Sequence, residues 1–327
     1  MKFFLFFISL ISRLGSQIKN FLYTKKIFKP EKAPLPVISV GNIVFGGSEK
    51  TPLVMNLISF LLKEGHKTAL ISRGYKGRWE RRGGVLSDGK KIQGIWEESG
   101  DEPFMVAQNF PKAGIFIGKH RLHSCERAKD LGFEVALLDD GFQHRRLHRD
   151  LDIVLYDPEE KISLREPHSS LQRANIILVK KDLETEEKNR VKTAFSPASV
   201  FEYSVINKGF LKLLSKEKLP PDAFRGKEAV AFCGIARPER FNTLLENAGM
   251  EIVFSFRFPD HYKYHQSSLE KIVSKFSELK PALAVTTEKD AVKISSYHDV
   301  LKHIPVYYLK IDLDIEEEFY GKIRSLK

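Results

Sequence analysis

A glycine-rich turn near the start of the chain has the composition of a phosphate-binding loop. The apolar run Val37–Val40 predicts a buried strand before it, and Pro52–Leu62 has apolar residues at helical spacing after it. In such a strand–turn–helix unit, backbone N–H groups and the helix N-terminus bind phosphate, a lysine reaches the β and γ phosphates, and a hydroxyl binds Mg²⁺. The residues predicted to form the loop are Gly46, Gly47, Ser48, Lys50 and Thr51.

Two positions depart from the usual G-x-x-x-x-G-K-[ST] pattern of these loops. Val44 stands where the first glycine is expected, and Glu49 stands where the second glycine should precede the lysine. A plain glycine turn before a helix therefore remains the alternative interpretation of this stretch.

Acidic residues follow at two places where a nucleotide site needs them. The predicted strand Val135–Leu138 ends in Asp139 and Asp140, and a carboxylate beside a phosphate loop holds Mg²⁺ directly or through water. Asp101 and Glu102 lie in a tight turn before a helical stretch. The alternatives are turn formation for the first pair and helix capping for the second.

Basic turns could supply cations to the same site. Ser72–Gly77 follows a predicted strand and carries Arg73, which would offset phosphate charge. His144–Arg149 is densely basic, but it has no interleaved aromatic residues or repeated basic face typical of nucleic-acid binding. We interpret this run as a solvated loop or a contact with an anionic lipid.

Two further motifs lie in the second half of the chain. His261 follows Asp260 in Pro259–Tyr262, where a histidine held by an aspartate can act as a general base, although a surface or core histidine is more common. Thr286–Asp290 follows another predicted strand, and its threonines are expected to cap the next helix.

The elements that position these residues alternate between strands and helices. This alternation predicts an α/β fold with a parallel sheet flanked by helices, resembling P-loop NTPases, with ligands at the carboxyl ends of the strands. A change in pattern after Glu184 indicates a second, smaller α/β domain. The expected domains are an N-terminal helix over 1–29, a P-loop domain over 30–190 and a C-terminal domain over 191–327 that contributes to a closed active site.

Composition is that of a globular protein with an anionic partner. The 327 residues are 42% hydrophobic with a formal net charge of +11, which favours a nucleotide, nucleic acid or anionic membrane as partner. The two cysteines, Cys125 and Cys233, lack metal-site spacing and fit a reducing cytosol.

The first 29 residues combine an apolar segment with lysines. The run from Phe3 to Ile11 is too short to span a bilayer, which takes ~20 residues, and Ile18, Phe21 and Leu22 continue at helical spacing among lysines. This pattern predicts a helix lying in the membrane interface. A helix that docks on its own domain and a signal peptide are the alternatives.

Taken in order, these stretches resemble the tetraacyldisaccharide 4′-kinase family of lipid A biosynthesis over nearly the whole chain. The sequence Asp-Asp-Gly-Phe-Gln-His is the most specific match. The matching stretches are Ser39–Asn42, Gly46–Ser48 with Lys50–Pro52, Ser72–Tyr75, Gly100–Pro103, Asp139–His144, Leu164–Pro167, Phe258–His261 and Thr286–Asp290.

The resemblance implies transfer of the γ-phosphate of ATP to the 4′-hydroxyl of tetraacyldisaccharide 1-phosphate, which yields lipid IVA at the cytoplasmic face of the inner membrane. It implies ATP and Mg²⁺ as cofactors, a lipid substrate, the inner membrane surface as partner, no nucleic acid, and a monomer. By the same resemblance Asp101 is the base, and His261 assists it from the second domain. The remaining assignments are Thr51, Glu102, Asp139 and Asp140 around the metal, Arg73 and Arg121 as phosphate or substrate contacts, and His144 near the acceptor.

Two departures from the family pattern carry expectations. Glu49 replaces the family's glycine, which predicts weaker ATP binding unless its side chain faces solvent or pairs with Lys50. The segment before Leu164 is shortened to Glu160–Ser163, which affects the neighbouring substrate-side loop.

Two other functions remain open from the sequence. A membrane-bound GTP switch is suggested by Val179–Asp182, which resembles a guanine-reading Asn-Lys-x-Asp motif without its asparagine. However, Asp139–Gly141 has the wrong spacing for the Asp-x-x-Gly element of such switches. A non-catalytic membrane-binding protein with a degraded loop is suggested by Glu49.

Overall fold

The computed structural model describes residues 15–46, 49–158 and 164–325. Gly47, Ser48, the apolar segment before residue 15 and the shortened segment 160–163 lie outside the described residues. In the part of the chain that is described, no helix combines the length and apolar character needed to cross a membrane.

The chain forms two compact units, and the first contains residues up to Ser204 together with those from Leu313 onward. Its strands follow the predicted order along the chain. They are β1 (Val37–Asn42), β2 (Thr68–Ser72), β3 (Gly84–Asp88), β4 (Gly114–Ile117), β5 (Val135–Asp139), β6 (Leu151–Leu155), β7 (Ile176–Lys180) and the first part of β8 (Ser199–Lys212).

Helices alternate with these strands. They are α1 (15–24), α2 (Lys50–Lys63), α3 (Trp79–Arg82), α4 (Trp96–Ser99), α5 (Asp101–Asn109), α6 (Arg121–Asp130) and α7 (Thr185–Ala194), with a 3₁₀ helix at His168–Arg173. In α2 the buried residues recur three and four positions apart, which places one apolar stripe on the sheet. They are Leu53, Val54, Leu57, Ile58 and Leu61.

The sheet of the first unit has the order β8-β7-β6-β1-β5-β2-β4-β3. Its pairings are parallel except for β3, which runs antiparallel to β4 at the edge. The central strands are buried along their whole length, as expected when helices cover both faces. The predicted α/β fold with a mostly parallel sheet is confirmed.

The described part of α1 docks on the first unit through polar contacts. Lys19 Nζ donates to the Gln143 carbonyl at 2.8 Å, and Arg145 Nη1 donates to the Asn20 carbonyl at 2.9 Å. Ile18 and Phe21, by contrast, leave 63% and 57% of their surface exposed. The helix therefore has a docked polar side and an apolar side open to solvent.

The second unit, Val205–Asp312, is a smaller α/β unit. Its strands have the order β11-β10-β12-β13-β8, and β9 pairs antiparallel with β8. They are the rest of β8, β9 (Lys218–Leu219), β10 (Glu228–Cys233), β11 (Glu251–Arg257), β12 (Leu283–Thr287) and most of β13 (Val306–Ile315). Its helices are α8 (Pro238–Asn247), α9 (Gln266–Leu279), α10 (Glu288–Ile294) and α11 (His298–Leu301).

The division into units differs from the expected boundary between residues 190 and 191. The chain enters the second unit within β8 and leaves it within β13. The last helix, α12 (Glu317–Arg324), belongs to the first unit, where Tyr320 OH donates to Asn56 Oδ1 of α2 at 2.8 Å. One strand can belong to both units in succession. The boundary between the units therefore lies inside a strand, where no linker-like composition marks it in the sequence.

Candidate active site

The predicted phosphate loop and its acidic partners follow neighbouring strands of the first unit. β1 pairs in parallel with β5, with Val40 opposite Asp139, and β2 lies on the other side of β5. Parallel strands bring their carboxyl ends to one edge, so the segments after β1, β2 and β5 meet there. This edge is the ligand edge expected from the sequence.

The described part of the loop has the backbone of a glycine-rich turn. Gly46 has a φ of 97°, and Glu49, which precedes the first residue of α2, has φ 54° and ψ 20°. This left-handed conformation costs a residue with a Cβ roughly 1–2 kcal/mol. The position therefore favours the glycine of the usual pattern, but Glu49 adopts the left-handed conformation that a glycine would have there.

Lys50 and Thr51 open α2 beside the carboxylates. Lys50 Nζ lies 3.5 Å from Asp140 Oδ1, and Thr51 Oγ1 donates to Glu102 Oε2 at 3.1 Å. Asp139 accepts a hydrogen bond at Oδ2 from Ser72 Oγ, also at 3.1 Å. The structure thus groups the loop lysine and threonine with the acidic residues that the sequence predicts as their partners.

Asp139, the last residue of β5, and Asp140, which follows it, are in opposite electrostatic environments. Burial, followed by the charges of Glu102 and Asp140, raises the pKa of Asp139 to about 6. Burial also opposes ionisation of Asp140, but Lys50 and Arg165 outweigh it and hold its pKa at about 2. Asp140 is therefore ionised at neutral pH, whereas Asp139 titrates slightly below it.

These groups fit a hard divalent cation. Thr51, Glu102, Asp139 and Asp140 offer only oxygen ligands, the type that Mg²⁺ prefers. The pKa of Asp139 is raised by burial and by the neighbouring carboxylates, and the opposing charges of Lys50 and Arg121 do not cancel this effect. A bound Mg²⁺ would stabilise these charges.

Arg165 is a site residue to which the sequence reasoning gave no role. Its Nη1 donates to Asp140 Oδ2 at 2.7 Å, and its guanidinium lies 5.2 Å from the centre of the Phe45 ring. Asp140 itself has a φ of 51°, so the loop that carries it is held in an uncommon conformation. The only signal in the sequence was the Leu-Arg-Glu-Pro motif of the resemblance.

Arg121 contributes a buried positive charge to the same edge. It is only 5% exposed, and its Nη1 donates to the Gly118 carbonyl at 2.7 Å. Burial lowers its pKa to about 10, against the opposing effect of Asp139 and Asp140. The guanidinium is therefore charged at neutral pH and is stabilised by both aspartates.

Asp101 is a buried carboxylate at the first position of α5. Its Oδ1 accepts a hydrogen bond from the Glu102 backbone N–H at 2.9 Å, and the helix N-terminus favours its negative charge. The turn that carries it packs on Gly74, where an added Cβ would lie 2.6 Å from the Ser99 carbonyl. The glycine after Arg73 is thus needed for this turn to approach.

Arg73 and His144, which were predicted to contact phosphate or the acceptor, have surroundings that differ from those of the carboxylate group described above. Arg73 is 54% exposed and pairs through Nε with Glu80 at 2.6 Å. His144 lies in a basic environment, where burial, then Arg121 and Lys19, lower its pKa to about 4. At neutral pH this histidine is uncharged.

The arginines of the basic run beyond His144 have partners within the first unit. Arg146 Nη2 lies 3.0 Å from Glu31 Oε1, and Arg149 Nη2 lies 2.8 Å from Asp152 Oδ2. The Arg145 guanidinium lies 5.1 Å from the centre of the Tyr23 ring of α1. These contacts fasten the loop that follows the two aspartates.

His261 belongs to the second unit, in a turn after β11. Its φ is 59°, and its Nε2 lies 3.2 Å from Lys289 Nζ and 3.8 Å from Asp260 Oδ2. The adjacent aspartate expected from the sequence is present, and Lys289 is a second partner that the sequence reasoning did not identify.

The whole chain resembles one protein family. A family model described as tetraacyldisaccharide-1-P 4′-kinase matches residues 1–326. A tetraacyldisaccharide 4′-kinase from Syntrophus aciditrophicus (strain SB) is 33% identical over 332 residues, which cover 95% of this chain and 88% of the relative. The relative of the same name from Aquifex aeolicus (strain VF5) is 34% identical over 309 residues, 92% of this chain and 91% of its own.

A solved structure agrees with this assignment. The crystal structure of LpxK from Aquifex aeolicus in complex with ATP matches with a TM-score of 0.75 and 30% identity, covering 98% of this chain and 97% of that one. The family resemblance drawn from the sequence motifs is confirmed. The chain belongs to the tetraacyldisaccharide 4′-kinase family.

Proposed function

We propose that this chain is a kinase that transfers the γ-phosphate of ATP to the 4′-hydroxyl of tetraacyldisaccharide 1-phosphate, which forms lipid IVA. The observation that carries the proposal is the grouping of Lys50 and Thr51, at the start of α2, with Asp140 and Glu102. The family relatives bear the name of this activity, and the solved relative is a complex with ATP.

The phosphate loop and the carboxylates supply the electrostatics of transfer. Backbone N–H groups of Gly46–Thr51 hold the phosphates, with Lys50 on the β and γ phosphates. Thr51, Glu102, Asp139 and Asp140 would hold Mg²⁺, and the ion would supply positive charge against the phosphates. Arg121 adds a second fixed cation, and Arg73 contacts phosphate or substrate.

Asp101 accepts the proton of the acceptor hydroxyl in this proposal, with His261 of the second unit as the assisting group. A general base of this kind contributes about 10²–10⁴-fold to rate. The burial of Asp101 and its bond from the Glu102 N–H support the role, because both restrict the carboxylate to one orientation. His144, neutral at pH 7, lies near the acceptor sugar.

We also propose that the enzyme acts on its lipid substrate at the cytoplasmic face of the inner membrane, as a monomer and without nucleic acid. The exposed apolar residues Ile18 and Phe21 of α1, with Ile27 and Phe28 just after it, support a membrane-surface role for the N-terminal segment. The lysines between them favour anionic lipid.

The test is phosphoryl transfer from labelled ATP to the purified acceptor in mixed micelles, with and without acceptor. We expect acceptor-dependent transfer, reduced about 10²–10⁴-fold in Asp101→Asn, with thermal stability retained. Asp130→Asn, an exposed carboxylate at the end of α6, is the matched control. Turnover with GTP in preference to ATP would favour the switch interpretation, and full turnover in Asp101→Asn would refute the base assignment.

A further inference from the structure

The Thr286–Asp290 motif has no role in the transfer proposed above. It opens α10 as the sequence predicts, because Thr287 Oγ1 accepts a hydrogen bond from the Asp290 backbone N–H at 3.1 Å. Two other side chains of the same helix, Asp290 and Lys293, form a buried ion pair, and Lys289 reaches His261. The helix therefore contacts the turn of that histidine in more than one way.

The first contact runs through the backbone. Asp290 and Lys293 have fully buried side chains, 2.7 Å apart at Oδ1 and Nζ. Asp290 Oδ2 accepts a hydrogen bond from the Gly234 N–H at 2.8 Å, and the Gly234 carbonyl accepts one from the His261 N–H at 3.1 Å. The buried pair thus holds Gly234, whose carbonyl in turn accepts the backbone N–H of His261.

The turn is packed too closely to shift independently. A Cβ on Gly234 would lie 3.0 Å from Tyr262 Cβ and 3.2 Å from Asp290 Oδ1. His261 has a φ of 59°, a conformation that a residue with a Cβ retains only when its surroundings impose it. Here the imposing contacts come from the end of β10 and from α10.

The second contact is made by the side chain of Lys289. Its Nζ lies 3.2 Å from His261 Nε2 and 3.4 Å from Asp260 Oδ1, and the side chain is only 14% exposed. An ammonium group has hydrogen-bond donors and no acceptor, so Nε2 must be the acceptor. A ring that accepts a hydrogen bond at Nε2 carries its proton on Nδ1.

We propose that Lys289 is a positioning residue for His261, which orients the ring and fixes its Nδ1–H tautomer while Asp290 and Lys293 hold the backbone of the same turn. The inference rests on the catalytic role proposed for His261. The ring presents Nδ1–H as its donor in a fixed direction, and this is the geometry that a group assisting a carboxylate base needs.

A double-mutant cycle on the full chain tests whether Lys289 acts through His261. We expect Lys289→Met to lower kcat roughly ten- to a hundredfold with little change in KM for ATP, as misplacement of a reacting group does. In a His261→Ala background the same substitution should change kcat less than twofold. Equal effects of Lys289→Met in both backgrounds would overturn the inference.

The tautomer provides a readout that does not depend on turnover. ¹⁵N NMR of the imidazole rings, with His261 assigned by its loss in His261→Ala, should show the proton on Nδ1 in the wild type. Lys289→Met should shift the population toward Nε2–H, and Lys289→Arg, which keeps a cationic donor, should preserve the wild-type pattern. An Nε2–H ring in the wild type would contradict the inference.

Lys310→Met is the matched control, because Lys310 pairs with Glu288 of the same helix at 2.7 Å and is 21% exposed. It should leave both the tautomer and kcat unchanged. If His261→Ala keeps full kcat, the proposed role of His261 fails, and the tautomer result still decides whether Lys289 positions the ring.

Discussion

Each unit has a Lys–Asp pair that involves a helix which follows a parallel strand, α2 in the first unit and α10 in the second. Lys50 and Asp140 in the first unit are 3.5 Å apart and 14% and 35% exposed, whereas Lys293 and Asp290 in the second are 2.7 Å apart and fully buried. The same residue types therefore form an accessible pair in one unit and an enclosed pair in the other. The solvent exposure of the first pair suits a ligand site, and the complete burial of the second suits a structural contact.

The surroundings of the two pairs support this distinction. Asp140 is grouped with Glu102 and Asp139, and Asp139 has a raised pKa that a bound cation would lower. Asp290, by contrast, already accepts hydrogen bonds from the Gly234 N–H and the Thr287 hydroxyl in addition to its lysine. The first pair lies among carboxylates whose negative charge a bound cation would stabilise. The second pair is stabilised by contacts within its own unit.

The largest expected effect is loss of stability at the buried pair. Lys293→Met leaves Asp290 charged and buried without its cation, which should cost about 3–5 kcal/mol of unfolding free energy. Urea unfolding of the full chain measures it. Asp290→Leu combined with Lys293→Met should recover part of the loss, and a single variant as stable as the wild type would refute the structural role.

Lys50→Ala should have the opposite profile, with a large loss of activity and a small change in stability. Removal of a cation that stabilises the transferring phosphate lowers kcat about 10²–10³-fold, while a partly exposed ion pair contributes ~1 kcal/mol or less to stability. Lys63→Ala, an exposed lysine at the end of the same helix, is the control. A large drop in the melting temperature of Lys50→Ala, with kcat retained, would show that the Lys50–Asp140 pair is structural like the Lys293–Asp290 pair.

Mg²⁺ affinity should rise with pH through the titration of Asp139. Below its pKa of about 6 the carboxyl holds a proton that the metal must displace. The stability of the metal-free protein should change in the opposite direction. The raised pKa of Asp139 stabilises the folded state at pH below the ordinary pKa of an aspartate, and this contribution is lost as the pH rises through 6. The Mg²⁺-induced change in melting temperature at pH 5 and 7.5 measures this, and Asp139→Asn should abolish the pH dependence.

Glu49→Gly should have the smallest effect on stability. It relieves the left-handed strain, but glycine adds freedom to the unfolded chain, so the expected net gain is about 0.5–1 kcal/mol. Nucleotide binding should become tighter. Glu49→Gln keeps the strain and removes the charge, so an equal gain in affinity with glutamine would assign the effect to charge rather than to conformation.

Much of the first unit was predictable because its strands are short apolar runs that end in polar motifs. The structure confirms the predicted strands Val37–Val40 and Val135–Leu138 as β1 and β5, and the segments after them meet as the parallel arrangement requires. The antiparallel β3 was not predicted, because a five-residue edge strand buried only in its middle shows little periodicity.

The spacing of residues in the sequence could not predict contacts between residues that lie far apart along the chain. Arg165 lies 25 positions after the Asp140 that it binds, and α12 packs on α2 although some 250 residues separate them. Lys289 and His261 are 28 positions apart in different elements. Motif patterns identified the segments that contain Arg165, His261 and Lys289, but only the packing of the elements shows which side chains meet.

Binding of Mg²⁺ and a non-hydrolysable ATP analogue to the wild-type chain, followed by calorimetry, tests the central claim most directly. We expect a dissociation constant between roughly 1 μM and 1 mM, the range usual for enzyme substrates, and at least tenfold weaker binding in Lys50→Ala. Lys293→Met, measured under conditions in which it is folded, should bind like the wild type. No binding by the wild type, or equal affinity in Lys50→Ala, would contradict the assignment of this loop as the ATP site.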